Sequence, residues 1–332
     1  PDEEKEHCTS VLVGEGEELW LELLADLKRG ALQPFYRQSP LGGFDLAQAP
    51  MPRFELLEPD RYNRLTVQTA RGCPHRCEFC ASSRIISPSY KVKPVAKVLA
   101  ELDAIQRIWA RPFIEFADDN SFAKLAHARE LVHGLLGQRI RWFAETDVSI
   151  GQDADLLGMM RDSGCKMVLI GLESPSAASL EGIELNANWK RRQLEGYAAA
   201  IERIQSYGIR VIGCFVLGLD GDTPDTFRTV FDFARELGLY DIQITFLTPF
   251  PGTPLYERLK DEGRILREDA WELCTLFDIN HRPKGMTVEE LQAGFLWLAE
   301  AIYSEEETQA RQAKFKRSVR ESPHFGRRTL EG

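Results

Sequence analysis

The chain has 332 residues, with 41 Lys plus Arg against 51 Asp plus Glu, a formal charge of −10. Hydrophobic residues at 43% and charged residues at 28% are globular proportions, which exclude disorder and collagen-like repeats, and the length suits about two domains or one large α/β domain with attachments. Net acidity argues against a nucleic-acid partner, no apolar run approaches the ~20 residues of a membrane span, and no secretion signal opens the chain, so a cytoplasmic location is expected.

The first residue is Pro1 rather than Met, so the sequence is expected to start inside a longer protein or to be processed. Residues 10–13 read as a short strand, followed by Gly14-Glu15-Gly16-Glu17. An amphipathic helix over 18–29 places Leu19, Trp20, Leu23, Leu24 and Leu27 on one face and ends at Gly30. One strand and one helix cannot bury their own apolar faces. Residues 1–37 are therefore expected to be a displaced piece of another domain, docked through Leu19, Trp20 and Leu23 or open to proteolysis. Residues 38–63, with Pro40, Gly42, Gly43, Pro50, Pro52 and Pro59, read as a linker running over a surface.

From Arg64 onward, strands at 65–69, 113–117, 140–145, 167–172, 209–217 and 242–247 alternate with helices at 94–108, 124–136, 154–163, 189–207 and 224–237. The strands are mostly continuous apolar runs, as in a parallel sheet covered on both faces. Five crossovers join six strands, short of the eight of a closed barrel. A Pro-rich loop at 249–254 leads into helices, and Thr287-Val288-Glu289-Glu290 has the form of a capping box opening a helix to Tyr303. The barrel is taken as 64–262 and a helical extension with a basic tail as 263–332. That tail, with Arg311, Lys314, Lys316, Arg317, Arg320, Arg327 and Arg328 against Glu321, reads as solvated.

Seven cysteines, an odd number in a large chain, argue against a disulfide framework. Three fall in Cys73-Pro74-His75-Arg76-Cys77-Glu78-Phe79-Cys80, after the first barrel strand, on the side where such barrels gather their active-site loops. Three thiolates can hold three irons of a [4Fe–4S] cube and leave the fourth open to a substrate group. Zinc, with His75 as fourth ligand, is the competing reading, strained by the place of His75 between two of the thiols. Cys165 and Cys214 read as core thiols.

These residues resemble the radical S-adenosylmethionine (SAM) superfamily, whose hallmark is CxxxCxxC with an aromatic, here Phe79, before the last cysteine. The resemblance covers residues 53–298. It implies a partial (β/α)6 parallel barrel, a [4Fe–4S] cluster on Cys73, Cys77 and Cys80, and SAM chelated at the open iron. One electron then cleaves a C–S bond to give a 5′-deoxyadenosyl radical that abstracts hydrogen. It also implies cofactor contacts. Backbone at Ala117 and Asp118, where the family often has Gly-Gly-Glu, would serve the methionyl ammonium. Glu173 would take the ribose, or else form a structural salt bridge to a basic residue on the 189–207 helix, with Ser174 beside it as a contact or a helix cap. Lys190, or its neighbours Arg191 and Arg192, would face the methionine carboxylate, and the turn at Gly218 would approach the adenine.

Asp119 and Asn120 fit helix capping equally well, Asp222 or Thr223 with Pro224 reads as a cap, and Glu145-Thr146-Asp147 is a second rim candidate for substrate contact or capping. No G-x-G-x-x-G fingerprint is present, so a nicotinamide cofactor is rejected. Arg71, Arg76, Arg84, Lys91 and Lys93 form a basic patch suited to an acidic electron donor such as flavodoxin or ferredoxin, or a solvated loop face.

Residues 11–17 with their helix, and the stretch 52–62, resemble the end of a cobalamin-binding domain and the linker after it in one radical SAM subfamily. That subfamily methylates unactivated carbons and also forms or contracts rings. Its Asp-x-His-x-x-Gly segment is not in this chain, so cobalamin is expected only with a region before residue 1. The alternatives are a cobalamin-independent radical SAM oxidoreductase and a noncatalytic iron–sulfur electron-transfer or zinc scaffold module. The open coordination position speaks against the last. The substrate is expected to be a small or lipid-like molecule.

Overall fold

The computed structural model describes residues 2–39, 43–82, 85, 87 and 89–324. Among them, β1 (Val11–Val13), α1 (Gly16–Arg29) and β2 (Phe35–Arg37) form a unit in which β1 and β2 pair in parallel. The helix is the crossover that a parallel pair requires. The partner strand comes from Pro34 onward, where the sequence shows only turn signals.

The barrel consists of β3 (Leu65–Val67), α2 (Val95–Ile108), β4 (Phe113–Phe116), α3 (Leu125–Leu135), β5 (Arg141–Thr146), α4 (Ala154–Asp162), β6 (Cys165–Glu173), α5 (Trp189–Gln193), α6 (Tyr197–Ser206), β7 (Arg210–Leu217), α7 (Thr226–Leu237) and β8 (Asp241–Phe246). The strands lie in chain order, all parallel, as one six-stranded sheet. This is the expected partial α/β barrel. Along β7, Val211, Phe215 and Leu217 are buried under the helices while Ile212, Cys214 and Val216 stay half-buried on the inner face. The sheet thus spends one face on the core and keeps the other for a lumen. The helix expected at 189–207 is broken by a 3₁₀ turn at Leu194–Gly196, where Gly196 lowers helix propensity.

Three expectations are corrected. First, the N-terminal unit does not dock through Trp20, which is 53% exposed, although Leu19 is buried. It docks through charge. Glu15 accepts Lys91 Nζ at 2.6 Å, Arg71 Nη1 at 2.9 Å and the Phe44 amide at 2.7 Å, while Arg71 also reaches Glu17 at 2.6 Å. Burial alone would raise the Glu15 carboxyl, but Lys91 and Arg71 hold it down at about 2. Second, the linker is a packed strap. Phe44, Leu46 and Phe54 are buried, and Lys97 donates to the Ala47 and Ala49 carbonyls at 2.6 Å. Its Pro40 and Gly42 lie outside the described residues. Third, Arg311 is not solvated. It is 1% exposed in α10 (Glu305–Glu321) and donates to the Leu239 and Ile302 carbonyls, whereas Arg327 and Arg328 lie outside the described residues. Between barrel and tail run α8 (Pro254–Asp261) and α9 (Val288–Ile302), the latter opened by the expected Thr287/Glu290 capping box. No helix among the described residues is long and apolar enough to cross a membrane.

Because the folded Glu15 carboxyl is depressed from 4.5 to about 2, its contribution is present above pH 4.5 and lost as pH falls towards 2. Glu15→Gln should therefore speed cleavage within the N-terminal unit several-fold at neutral pH in limited proteolysis, with the barrel's melting barely moved. Wild type should loosen only in acid, where pepsin reports it. Equal cleavage rates at neutral pH refute ionic docking.

Candidate functional site

The loop after β3 carries Cys77, buried, with Cys73 and Cys80 half-buried. Burial pushes the Cys73 thiol up to about 11 and Cys77 up to about 12. A bound cation would offset that burial penalty and hold these thiols as thiolates, as iron and zinc donor sets require. Among the described residues, no three His, Cys, Asp or Glu side chains gather as ligands of one shared ion. A cube differs, because each thiolate takes its own iron.

The surrounding polar residues hold this loop. Gly72 sits at φ +81, and a Cβ there would lie 2.6 Å from the Ser89 carbonyl oxygen, so only glycine passes. Its amide donates to Asp119 Oδ2 at 2.9 Å, and Ser82 donates to the other oxygen. Asp118, whose backbone is expected at the methionyl ammonium, uses both side-chain oxygens to hold its neighbours. It accepts the Thr69 and Ala70 amides at 2.7 and 2.8 Å, the Thr69 hydroxyl, and Ser121 Oγ at 2.8 Å. Burial raises this carboxyl, and those donors offset it. Its task is to pin the end of β3 where the cysteine loop departs; Ala117, beside it, lines a cavity described below.

His75, drafted as a zinc ligand, instead places Nε2 3.2 Å from Asp147 Oδ2 and stacks on Trp189 with centroids 4.1 Å apart. Asn120 donates to the same Asp147 oxygen at 2.8 Å, so neither it nor Asp119 caps α3. Glu184, missed in the sequence, accepts the amides of Arg76, Asn186, Ala187 and Trp189. Phe79 packs partly buried against the core.

At the rim, β6 ends in a register slip between Gly171 and Glu173, and Glu173 has φ +62, a left-handed conformation that a Cβ makes costly. Its Oε1 accepts Lys190 Nζ at 2.9 Å, and Lys190 also donates to the Gly171 carbonyl. A Cβ at Gly171 would lie 2.5 Å from that Glu173 oxygen, so the glycine makes room for the pair. Burial would lower the Lys190 ammonium, but Glu173 beside it raises it well above its ordinary value. Lys190 is thus committed to Glu173 rather than open to a carboxylate. Among the described residues, no hydrogen-bond donor reaches Glu173 Oε2. Ser174 Oγ accepts the Ser176 amide at 3.1 Å and makes a turn, while Ser176 caps the short helix Ala177–Leu180.

Gly218 has φ +95, and the space a side chain would need is filled by His281 and Leu291 of the C-terminal extension. Asp222 does not cap α7. It accepts the Gly218 and Leu219 amides at 2.9 and 3.0 Å, and burial pushes it up to about 6. On the inner face, burial raises Glu145 to about 7, helped by the nearby Glu115, Asp119 and Asp118. Cys214, read as a core thiol, lies on this half-open face with Sγ 3.3 Å from Gln243 Oε1; Cys165 is buried as expected.

The basic patch is largely neutralised: Arg71 and Lys91 by Glu15, and Lys93 by Glu101 at 2.9 Å. Arg76 is exposed, and Arg84 lies outside the described residues. A cavity of about 1120 Å3 separates the N-terminal unit from the rim, walled by Leu12, Trp20 and Phe44 on one side and by Arg71, Ala117 and Asp119 on the other.

Among known protein families, residues 67–234, just over half of the chain, match the radical SAM superfamily, and residues 253–330 match a domain of unknown function (DUF4070). The chain is 29% identical over 307 residues to bacteriochlorophyllide d C-12(1)-methyltransferase of Chlorobaculum tepidum, covering 91% of this chain and 66% of that protein. It is also 29% identical to hopanoid C-2 methylase of Rhodopseudomonas palustris, over 71% of this chain and 45% of that protein. It thus spans about half to two thirds of these relatives. The radical SAM methyltransferase TsrM of Kitasatospora setae, solved with cobalamin and a [4Fe–4S] cluster, shares the fold. Its TM-score is 0.58 at 17% identity, over 76% of this chain and 53% of that one.

Proposed function

The chain belongs to the radical SAM superfamily, and on that premise we propose that it is the catalytic part of a cobalamin-dependent methyltransferase acting on a carbon of a small or lipid-like molecule. In this reading residues 1–37 close a cobalamin-binding domain, 38–63 strap it down, 64–262 form the catalytic barrel and 263–332 extend it. The observation that carries the proposal is the cavity between the N-terminal unit and the cysteine-bearing rim, with an aromatic and aliphatic wall on one side and Ala117 and Asp119 on the other. The methyltransferase names of the two relatives support it.

Cys73, Cys77 and Cys80 would each hold one iron. A bound cluster would supply the electron for reductive cleavage of SAM, and cobalamin would carry the methyl group. The chain's own residues do the rest. Asp118, Asp119, Asp147 and Glu184 hold the cysteine loop rigid. Glu173, fixed by Lys190, presents Oε2 to a ribose hydroxyl. The inner face, with Leu169, Ile212, Cys214 and Glu145, encloses the substrate and keeps water from the reacting atoms. The reductant would be a flavodoxin- or ferredoxin-like protein at the cysteine loop, where Arg76 is exposed. Seven free cysteines suit the cytoplasm.

Anaerobic titration of the reconstituted protein, extended by any natural N-terminal region, with hydroxocobalamin tests this. Binding that quenches the fluorescence of Trp20, and loses that quenching in Trp20→Phe, is expected. A protein, extended by any natural N-terminal region, that cleaves SAM yet takes up no cobalamin would be the cobalamin-independent oxidoreductase instead.

A further inference from the structure

The segment 253–330, which matches a domain of unknown function, folds back onto both halves of the site. Thr253 caps α8, accepting the Tyr256 amide at 3.2 Å, and Pro254 opens the helix, which sets Arg258 one turn inside it. Arg258 grips Glu78, the residue directly after Cys77, with both arms of its fork: Nε to Oε2 at 3.0 Å and Nη2 to Oε1 at 2.6 Å. Its remaining arm, Nη1, donates to Asp220 Oδ2 at 2.8 Å, two residues beyond Gly218. The same extension adds Arg264 and Lys284 to Asp220 at 2.8 and 3.0 Å. It also brings His281 Nε2 to 3.1 Å from the Gly218 carbonyl oxygen. The backbone joins in, with the Leu255 amide donating to the Glu78 carbonyl at 3.1 Å.

We propose that Arg258 is a positioning residue that clamps the cysteine loop to the turn after β7, and that the extension which follows, holding the same turn through Arg264, His281 and Lys284, belongs to the catalytic unit. The clamp rests on the reading of Cys73, Cys77 and Cys80 as cluster ligands and of the rim as the SAM site. Two physical consequences follow. Glu78 is a buried carboxylate between metal-binding thiols, and a negative charge there opposes the added electron of a reduced cluster. Arg258 neutralises it through a bidentate pair that lysine cannot reproduce. The geometric link also keeps the Gly218 turn at a fixed offset from the cysteines, as a ligand that spans both requires.

Measuring the cluster's midpoint potential by EPR-monitored titration, and SAM affinity by calorimetry, tests the clamp. Arg258→Gln should shift the potential to more negative values and weaken SAM binding by about tenfold. Glu78→Gln should shift the potential the opposite way, and the double variant should return close to wild type. Arg258→Lys should keep the potential but only part of the affinity. A purely structural role would lower the melting temperature and leave both readouts unmoved in the folded fraction. A loaded wild type with Arg258→Gln unchanged in potential and affinity overturns the clamp alone. Should Arg258→Gln fail to fold, an unchanged potential in Glu78→Gln overturns it. A wild type that takes up no cluster overturns the ligand assignment and the clamp with it.

Discussion

Replacing Cys77 with Ala should strip the reconstituted protein of most of its absorbance near ~400 nm and abolish cleavage of SAM, because a cube left with two protein ligands is labile. Cys77 is the most enclosed of the three thiols, and its backbone bridges to Glu184. The loop does not depend on the sulfur for its shape. Gly72 is tied to Asp119, His75 to Asp147, Arg76 to Glu184 and Glu78 to Arg258. The variant should therefore fold, with a stability loss of about 1 kcal/mol for the small volume removed. The same loss of iron is expected from Cys73→Ala and Cys80→Ala, and none from Cys165→Ala or Cys8→Ala. Iron and sulfide analysis checks it: full cluster content in Cys77→Ala rules out the assignment.

Glu173→Gln should weaken SAM binding by about tenfold or more, since a charged hydrogen bond to a ribose hydroxyl contributes about 1.5–3 kcal/mol. The structure adds a second effect. Lys190 is buried and its ammonium is paired with Glu173, so neutralising the acid strands a positive charge in the interior, at a cost of about 3–5 kcal/mol. Affinity and melting temperature should fall together in the single variant. Glu173→Gln combined with Lys190→Met separates them: stability should return, because both charges are gone, while the affinity stays low. The lysine occupies one carboxylate oxygen, so the ribose contact is expected through Oε2 alone. Glu173→Gly bears on the backbone, where relief of a left-handed φ offsets part of the lost pairing. Unchanged SAM affinity in a folded Glu173→Gln protein defeats the ribose contact and leaves a structural ion pair.

The parts of this protein that were legible in its sequence are those whose cause is local. Strand and helix patterns are set by near neighbours in the chain, so the six strands and the helices between them could be read directly. The spacing of Cys73, Cys77 and Cys80 is a property of eight consecutive residues, and so is the capping box at Thr287. What the tertiary structure alone decided are the partners of charges. Glu15 finds Lys91, and Glu78 finds Arg258 across 180 residues of chain. An ion pair leaves no periodic trace in either segment, and any basic residue could in principle have served. For the same reason the Asp118 side chain could not be assigned its ties to the end of β3, Asp222 read as a helix cap when it ties down the turn after β7, and Arg311 read as solvated when it is buried. Trp20 read as a docking residue, because periodicity reveals an apolar face but not what will cover it. Phe35–Arg37 gave no strand signal, because three residues are too few to show alternation, and only the facing edge of Val11–Val13 makes them a strand.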